Sequence, residues 1–150
     1  MPATESLSYT VHDDLPRDES RLVDEGLGTA NDQAAPLHEV QPLSCFARTT
    51  SNEVVGGAVG RTWGPCCELQ QLWVKPTHRR AGIATRLIRE FELRAQARGC
   101  NVFYLETFSF QAPQLYRSLG YEVQYEHAVY PHGIIKYTMV RKASTNETAA

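Results

Sequence analysis

The run at residues 72–88 constrains this chain most. Leu72-Trp73-Val74 leads into Lys75-Pro76-Thr77-His78-Arg79-Arg80-Ala81-Gly82 and then Ile83-Ala84-Thr85-Arg86-Leu87-Ile88. It reads as an apolar strand that empties through a short basic loop with a glycine into an amphipathic helix. Ile83, Leu87, Phe91 and Ala95 recur four apart with Ala84 and Ile88 alongside, Leu93 falls off the stripe, and Gly99 supplies a left-handed cap. Backbone N–H groups converge where such a helix begins, and its dipole adds partial positive charge. The place suits a phosphate or diphosphate.

Charge supports that reading only through its position. Residues 1–40 hold nine acidic and two basic side chains, whereas residues 75–98 hold seven basic and two acidic. Two solvated faces would explain this equally well, were the basic stretch not the loop itself. The net charge of −2 argues against non-specific nucleic-acid binding. A length of 150 residues fits one domain spanning 1–150, with frayed polar ends at 1–8 and 144–150. No stretch approaches the ~20 apolar residues of a membrane span, and no basic-then-apolar leader opens the chain, so a cytoplasmic protein is expected, without a membrane partner. Cys45, Cys66, Cys67 and Cys100 fit neither zinc-site nor redox-pair spacing. Buried, reduced thiols and no metal site are expected.

The rest of the pattern predicts an α+β fold. Tyr9-Thr10-Val11-His12 reads as a short first strand, and Leu22, Val23, Gly26, Leu27 and Ala30 as a helix over 17–31. Strands are expected at 44–48, 54–61 and 66–74, joined by turns at Thr50-Ser51-Asn52-Glu53 and Trp63-Gly64-Pro65 into an antiparallel meander. Gly56, Gly57 and Gly60 weaken a strand unless something crowds it, so close approach is expected there. A strand at 101–108 follows, with Val102 and Tyr104 taken as buried and Phe103 and Leu105 as further candidates. Pro113 opens a short helix to Ser118, closed by Gly120, before strands near 122–125 and 134–141. The predicted sheet is mixed and mostly antiparallel, flanked by helices, with one parallel pair. An exposed edge strand near the C-terminus would permit a homodimer.

Arg79-Arg80-Ala81-Gly82-Ile83-Ala84 fits the pattern Q/R-x-x-G-x-G/A, and Leu115-Tyr116-Arg117-Ser118-Leu119-Gly120-Tyr121 fits LYxxLGY. With Thr107 to Pro113 between them, the chain resembles small bacterial-type members of the GNAT superfamily of N-acetyltransferases over roughly residues 46–141. A nucleoside-triphosphate loop would need Gly-Lys-Ser/Thr, and a Rossmann site more glycines and another strand order. The resemblance implies acetyl-CoA as acyl donor. Backbone groups of Arg80, Ala81, Gly82, Ile83, Ala84 and Thr85 would hold its diphosphate, Gly82 by letting it approach. The Thr85 hydroxyl would add a bond, and Arg79 and Arg80 charge. The resemblance also implies that Leu72, Trp73 and Val74 lie on a strand splayed from its neighbour, where main-chain groups pair with the pantetheine arm and polarise the thioester carbonyl. Their side chains are expected to be buried.

Amine acetylation needs a neutral nucleophile and a proton for the leaving thiolate. The resemblance makes Tyr116 the acid, against the plain reading of a core tyrosine. Glu68, six residues before Val74, matches the catalytic glutamate of one branch. Glu106 resembles the glutamate of ribosomal-protein acetyltransferases, with two residues fewer before the tyrosine. A solvated strand-end carboxylate is the alternative for each. Gln111 stands where many members place a cofactor-contacting asparagine, and Ser109 is an alternative helix cap. His78 is expected beside the loop facing solvent, and His127 and His132 on a loop bordering the acceptor. Acidic residues such as Asp13, Asp14, Asp18 and Glu19 could draw a cationic amine, or simply be solvated. The expected activity is transfer from acetyl-CoA to a small-molecule primary amine in a ternary complex. The alternatives are a protein N-terminal or lysine acetyltransferase and a silent acyl-CoA-binding module.

Overall fold

A computed structural model describes residues 5–143. The frayed ends expected at 1–4 and 144–150 lie outside the described residues, and residues 5–8 adopt no regular structure. Two compact units are distinguished, dividing after His38.

The first unit is built around α1 (Arg17–Ala34), three residues longer than predicted. Asp18 and Glu19 sit in its first turn, where the helix dipole favours acid. The strand expected at Tyr9-Thr10-Val11-His12 is not formed; these residues are irregular. A four-residue segment satisfies its backbone as a strand only through a neighbour.

The second unit runs β1 (Gln41–Arg48), β2 (Val54–Trp63), β3 (Cys66–Val74), α2 (Ile83–Ala97), β4 (Val102–Phe108), α3 (Pro113–Ser118), β5 (Glu122–His127) and β6 (Lys136–Lys142). The sheet order is β1-β2-β3-β4-β6-β5. Only β3 and β4 run parallel, joined by the α2 crossover, and β5 is an edge strand. Leu87, Ile88, Phe91 and Ala95 of α2 join Ala58, Cys67, Leu69, Phe103, Leu105 and Met139 in one core. In β4 the fully buried residues are Phe103 and Leu105, with Val102 and Tyr104 half-buried, which reverses the expected emphasis. The register explains it: Cys67 pairs Phe103 and Leu69 pairs Leu105, so side chains facing α2 on one strand fix those on the next.

The expected crowding at the β2 glycines is present. A Cβ at Gly60 would lie 1.9 Å from the Glu68 carbonyl oxygen, and one at Gly56 3.1 Å from both Trp73 O and Leu87 Cδ1. Gly60 marks a bulge. Val59 pairs Gln71 but Gly60 pairs Leu69, leaving Gln70 as an extra residue on β3.

One buried polar cluster ties α2 to β6 and to the residue before β5. Glu92 accepts from the Tyr121 hydroxyl at 2.7 Å and pairs with Arg141 at 3.2 Å, while the Arg141 guanidinium lies over the Phe103 ring. The last tyrosine of LYxxLGY is therefore a structural residue.

Candidate active site

The bulge at Gln70 opens the sheet. Parallel pairing of β3 with β4 covers residues 66–69 and 102–105 and ends there. Beyond it, β3 continues paired with β2 alone, and β4 with β6 alone. The two strands part as expected of a splayed pair, leaving their facing main-chain groups to a ligand. Between them lies a cavity of about 510 Å³. Gln70, Gln71, Leu72 and Trp73 form one wall, and Glu106, Thr107, Gln111 and Tyr116 the other.

Tyr116 reaches this cavity from α3. Its ring is 8% exposed and meets Tyr121 edge-on at 5.9 Å. Among the described residues no buried side-chain polar atom lacks a partner. The Tyr116 hydroxyl has no side-chain hydrogen bond there, so it opens to the cavity. Burial pushes its pKa up to about 12, which keeps it protonated at neutral pH. Glu106, on the opposite side of β4 from buried Leu105 and Thr107, accepts from the Tyr104 hydroxyl at 3.1 Å and faces Lys136 at 3.5 Å.

Glu68 does not join them. It pairs with Arg61 at 2.9 Å and is absent from the cavity lining. Gln111 lines the cavity, but its side-chain oxygen is committed to Phe108 N at 2.8 Å and Thr107 Oγ1 at 3.2 Å, closing the turn before α3. Its amide nitrogen remains for a ligand. Ser109 is not a helix cap: Ala112 occupies that position without a side-chain bond, and Ser109 Oγ accepts from Ile135 N. Trp73 also departs from expectation, being 50% exposed where Val74 is buried.

A second hollow of about 240 Å³ adjoins the first. It is lined by Val74, His78, Arg79, Arg80, Gly82, Ile83, Ala84, Thr85 and Leu115; Ala81 is not among them. Consecutive residues border the two spaces: Trp73 and Tyr116 line the larger, Val74 and Leu115 the smaller. They are successive compartments suited to one elongated ligand. Arg79 Nε donates to Val74 O at 3.1 Å, pinning the loop to the strand end. Gly82 takes φ 75 at the N-cap of α2, and no side chain caps that end. The first-turn N–H groups are left to an acceptor. A Cβ on Gly82 would meet no atom within 4 Å, so the conformation, together with whatever occupies the hollow, explains the glycine. Arg80 is also left-handed, at φ 63.

His78 sits half-buried at the loop, bonded to Thr77 Oγ1, while His127 and His132 lie outside the cavity lining. None of the cysteines lines the cavity. Cys67 and Cys100 are buried as expected, whereas Cys45 and Cys66 are half-buried. Burial pushes all four thiols up, Cys67 to about 12. Among the described residues no helix is long and apolar enough to cross a membrane.

With this geometry in view, comparisons with known proteins agree. The sequence matches the acetyltransferase (GNAT) family over residues 9–121. It is 33% identical to the blasticidin-S acetyltransferase of Streptomyces morookaense, over 77% of this chain and 95% of that protein. An acetyltransferase from Bacillus cereus has the same fold, with TM-score 0.73 at 22% identity, covering 89% of this chain and 97% of that one. A Bacillus anthracis protein assigned as a streptothricin acetyltransferase, solved with acetyl coenzyme A, superposes with TM-score 0.61 at 18% identity, covering 69% and 63%. The strand–loop–helix, the parted strands and the sequence match agree: this chain belongs to the acetyltransferase (GNAT) family and is an acyltransferase.

Proposed function

We propose that the protein moves the acetyl group of acetyl-CoA to a primary amine of a small molecule, directly and within a ternary complex. The parting of β3 from β4 beyond Leu69 and Leu105 carries the reading, because it brings Glu106 and Tyr116 to one cavity at the end of a route from the uncapped helix. The coenzyme supplies an activated thioester. Main-chain N–H groups at residues 82–85, with the Thr85 hydroxyl and the charges of Arg79 and Arg80, hold its diphosphate. Main-chain groups of Leu72, Trp73 and Val74 pair with the pantetheine arm, and one N–H there stabilises charge developing on the carbonyl oxygen. The Gln111 amide adds a cofactor contact.

Glu106 takes the proton of the incoming ammonium, directly or through water. It is preferred to Glu68, which does not line the cavity. Tyr116, protonated throughout the working range, donates to the departing sulfur. Direct transfer is favoured because none of the cysteine thiols lines the cavity and burial keeps all of them protonated. That the Streptomyces relative is a blasticidin-S acetyltransferase supports a small-molecule acceptor.

The test is thiol release from acetyl-CoA with a panel of amines that includes blasticidin S, polyamines, aminoglycosides and a peptide. At least one small amine is turned over, and Tyr116→Phe lowers kcat by about 10²-fold. Tight acetyl-CoA binding without thiol release for any amine overturns the proposal in favour of a silent acyl-CoA module. Release with the peptide alone moves the acceptor to protein.

A further inference from the structure

Glu106 is held from both of its oxygens. Tyr104, Glu106 and Phe108 alternate along β4 and so share one face. The Tyr104 hydroxyl donates to Glu106 Oε1 at 3.1 Å, and the Lys136 ammonium stands 3.5 Å from Oε2. Lys136 reaches it diagonally from β6, because its direct partner is Phe108 and that of Glu106 is Thr138. Burial, and then the bond to Glu106, push the Tyr104 phenol above its ordinary value, so at neutral pH it keeps the proton it donates. A carboxylate oxygen has two lone pairs, and each oxygen of Glu106 keeps one for an incoming proton.

The lysine is itself braced. Its ammonium lies 5.7 Å from the centre of the Phe108 ring. Phe108 stacks on Phe110 at 5.2 Å and meets Tyr130 edge-on at 5.3 Å, although Phe110 is 66% exposed and lies outside the core. The two segments carrying these rings are tied together. Ser109 N donates to Ile135 O at 2.7 Å, and Ile135 N donates to Ser109 Oγ at 3.0 Å. A half-exposed ion pair adds little to stability, and an unrestrained glutamate samples many rotamers. The arrangement secures direction instead: Glu106 is turned to the cavity it shares with Tyr116.

We propose that Tyr104 and Lys136 are positioning residues for the proton transfer. They fix the Glu106 carboxylate where the acceptor amine meets it, and the Phe108–Phe110–Tyr130 cluster braces the lysine from behind. The inference rests on Glu106 acting as the base in the reading above. Neither residue lines the cavity, so each acts through Glu106. A misplacement of about 1 Å costs up to about 10²-fold in rate, and removing one of two holds costs about tenfold.

Thiol release in the full-length protein, with n-butylamine and spermidine as acceptors, tests this. Tyr104→Phe and Lys136→Met each lower kcat about tenfold and leave KM for acetyl-CoA within about twofold, while Lys136→Arg keeps kcat within about threefold of the parent. Parental kcat in both Tyr104→Phe and Lys136→Met overturns the clamp. A second comparison uses a Glu106→Gln background, itself slowed about 10²-fold. There Tyr104→Phe and Lys136→Met have no further effect, because no base remains to be aimed. Losses that multiply in that background overturn the clamp and leave Glu106 as the base. A Glu106→Gln protein as fast as the parent overturns base and clamp together, while amine transfer stands. No release with any amine overturns all three.

Discussion

Gly60→Ala tests the feature on which the cavity depends. The added methyl would sit 1.9 Å from the Glu68 carbonyl oxygen and 2.9 Å from Phe91 Cζ. Ordinary contact requires the β2–β3 separation to grow by about 1.5 Å at that point. The obstacle is backbone on one side and a 2%-exposed ring on the other, so neither yields cheaply. Overpacking of this kind costs about 1–3 kcal/mol, and loss of one ladder hydrogen bond beside the bulge adds about 1 kcal/mol. For a chain of this size, about 3 kcal/mol lowers the melting temperature by roughly 6–12 °C. The bulge that turns β3 from β4 is the part displaced, so KM for acetyl-CoA should also rise. Gly57→Ala is the control for stability. Its methyl meets the half-exposed Phe46 ring at 2.8 Å, which can swing aside at a cost below about 1 kcal/mol. Calorimetric melting compares the two. A Gly60→Ala protein melting within about 2 °C of the parent would refute the packing argument.

The remaining predictions concern the loop, the buried ion pair and alkaline pH. Gly82→Trp, at a residue with φ 75, abolishes acetyl-CoA binding in isothermal calorimetry while the fold persists in circular dichroism; unchanged affinity contradicts the diphosphate assignment. Glu92→Ala removes one partner of Arg141 and the acceptor of the Tyr121 hydroxyl, at side-chain exposures of 12% for Arg141 and 10% for Glu92, and lowers unfolding free energy by about 3 kcal/mol in urea. Glu92→Gln retains an acceptor for Tyr121 and loses less. Burial raises Tyr116 to about 12 in the folded protein against an ordinary 10, so the folded state holds its proton where the unfolded chain has released it. Stability is intact below pH 10 and falls between pH 10 and 12. Tyr121 shifts in the same direction, burial being the larger cause and Glu92 the next. Between pH 9 and 11 the parent loses about 1.4 kcal/mol more than Tyr116→Phe. Parallel pH profiles for the two proteins would remove the basis for a buried, neutral phenol.

What could be read from the chain beforehand follows the range of the interactions responsible. The strand–loop–helix at 72–97 is local, so spacing and a single glycine suffice. The meeting of Glu106 with Tyr116 is separated by ten residues and one turn, and family resemblance carried it. The bulge was also written locally, as a change of parity: Cys67 and Leu69 face the core before Gln70-Gln71, and Leu72 and Val74 after it. A strict alternation cannot hold both pairs on one face, so an extra residue must intervene. Reading residues 66–74 as a plain strand overlooked this, and with it the reason that Trp73 emerges on the face away from α2. Glu92 carried a similar sign, a carboxylate four residues after Ile88 on the apolar stripe, which only a distant cation such as Arg141 could justify. The burial phase of β4 and the absence of a strand at Tyr9-Thr10-Val11-His12 had no such local mark. The first is decided by which strand lies alongside, and pairing partners about 28–40 residues away leave no trace in a short window of sequence. Parity breaks and misplaced charges are thus the places where distant packing becomes visible in the chain, and here the parity break adjoins the cavity.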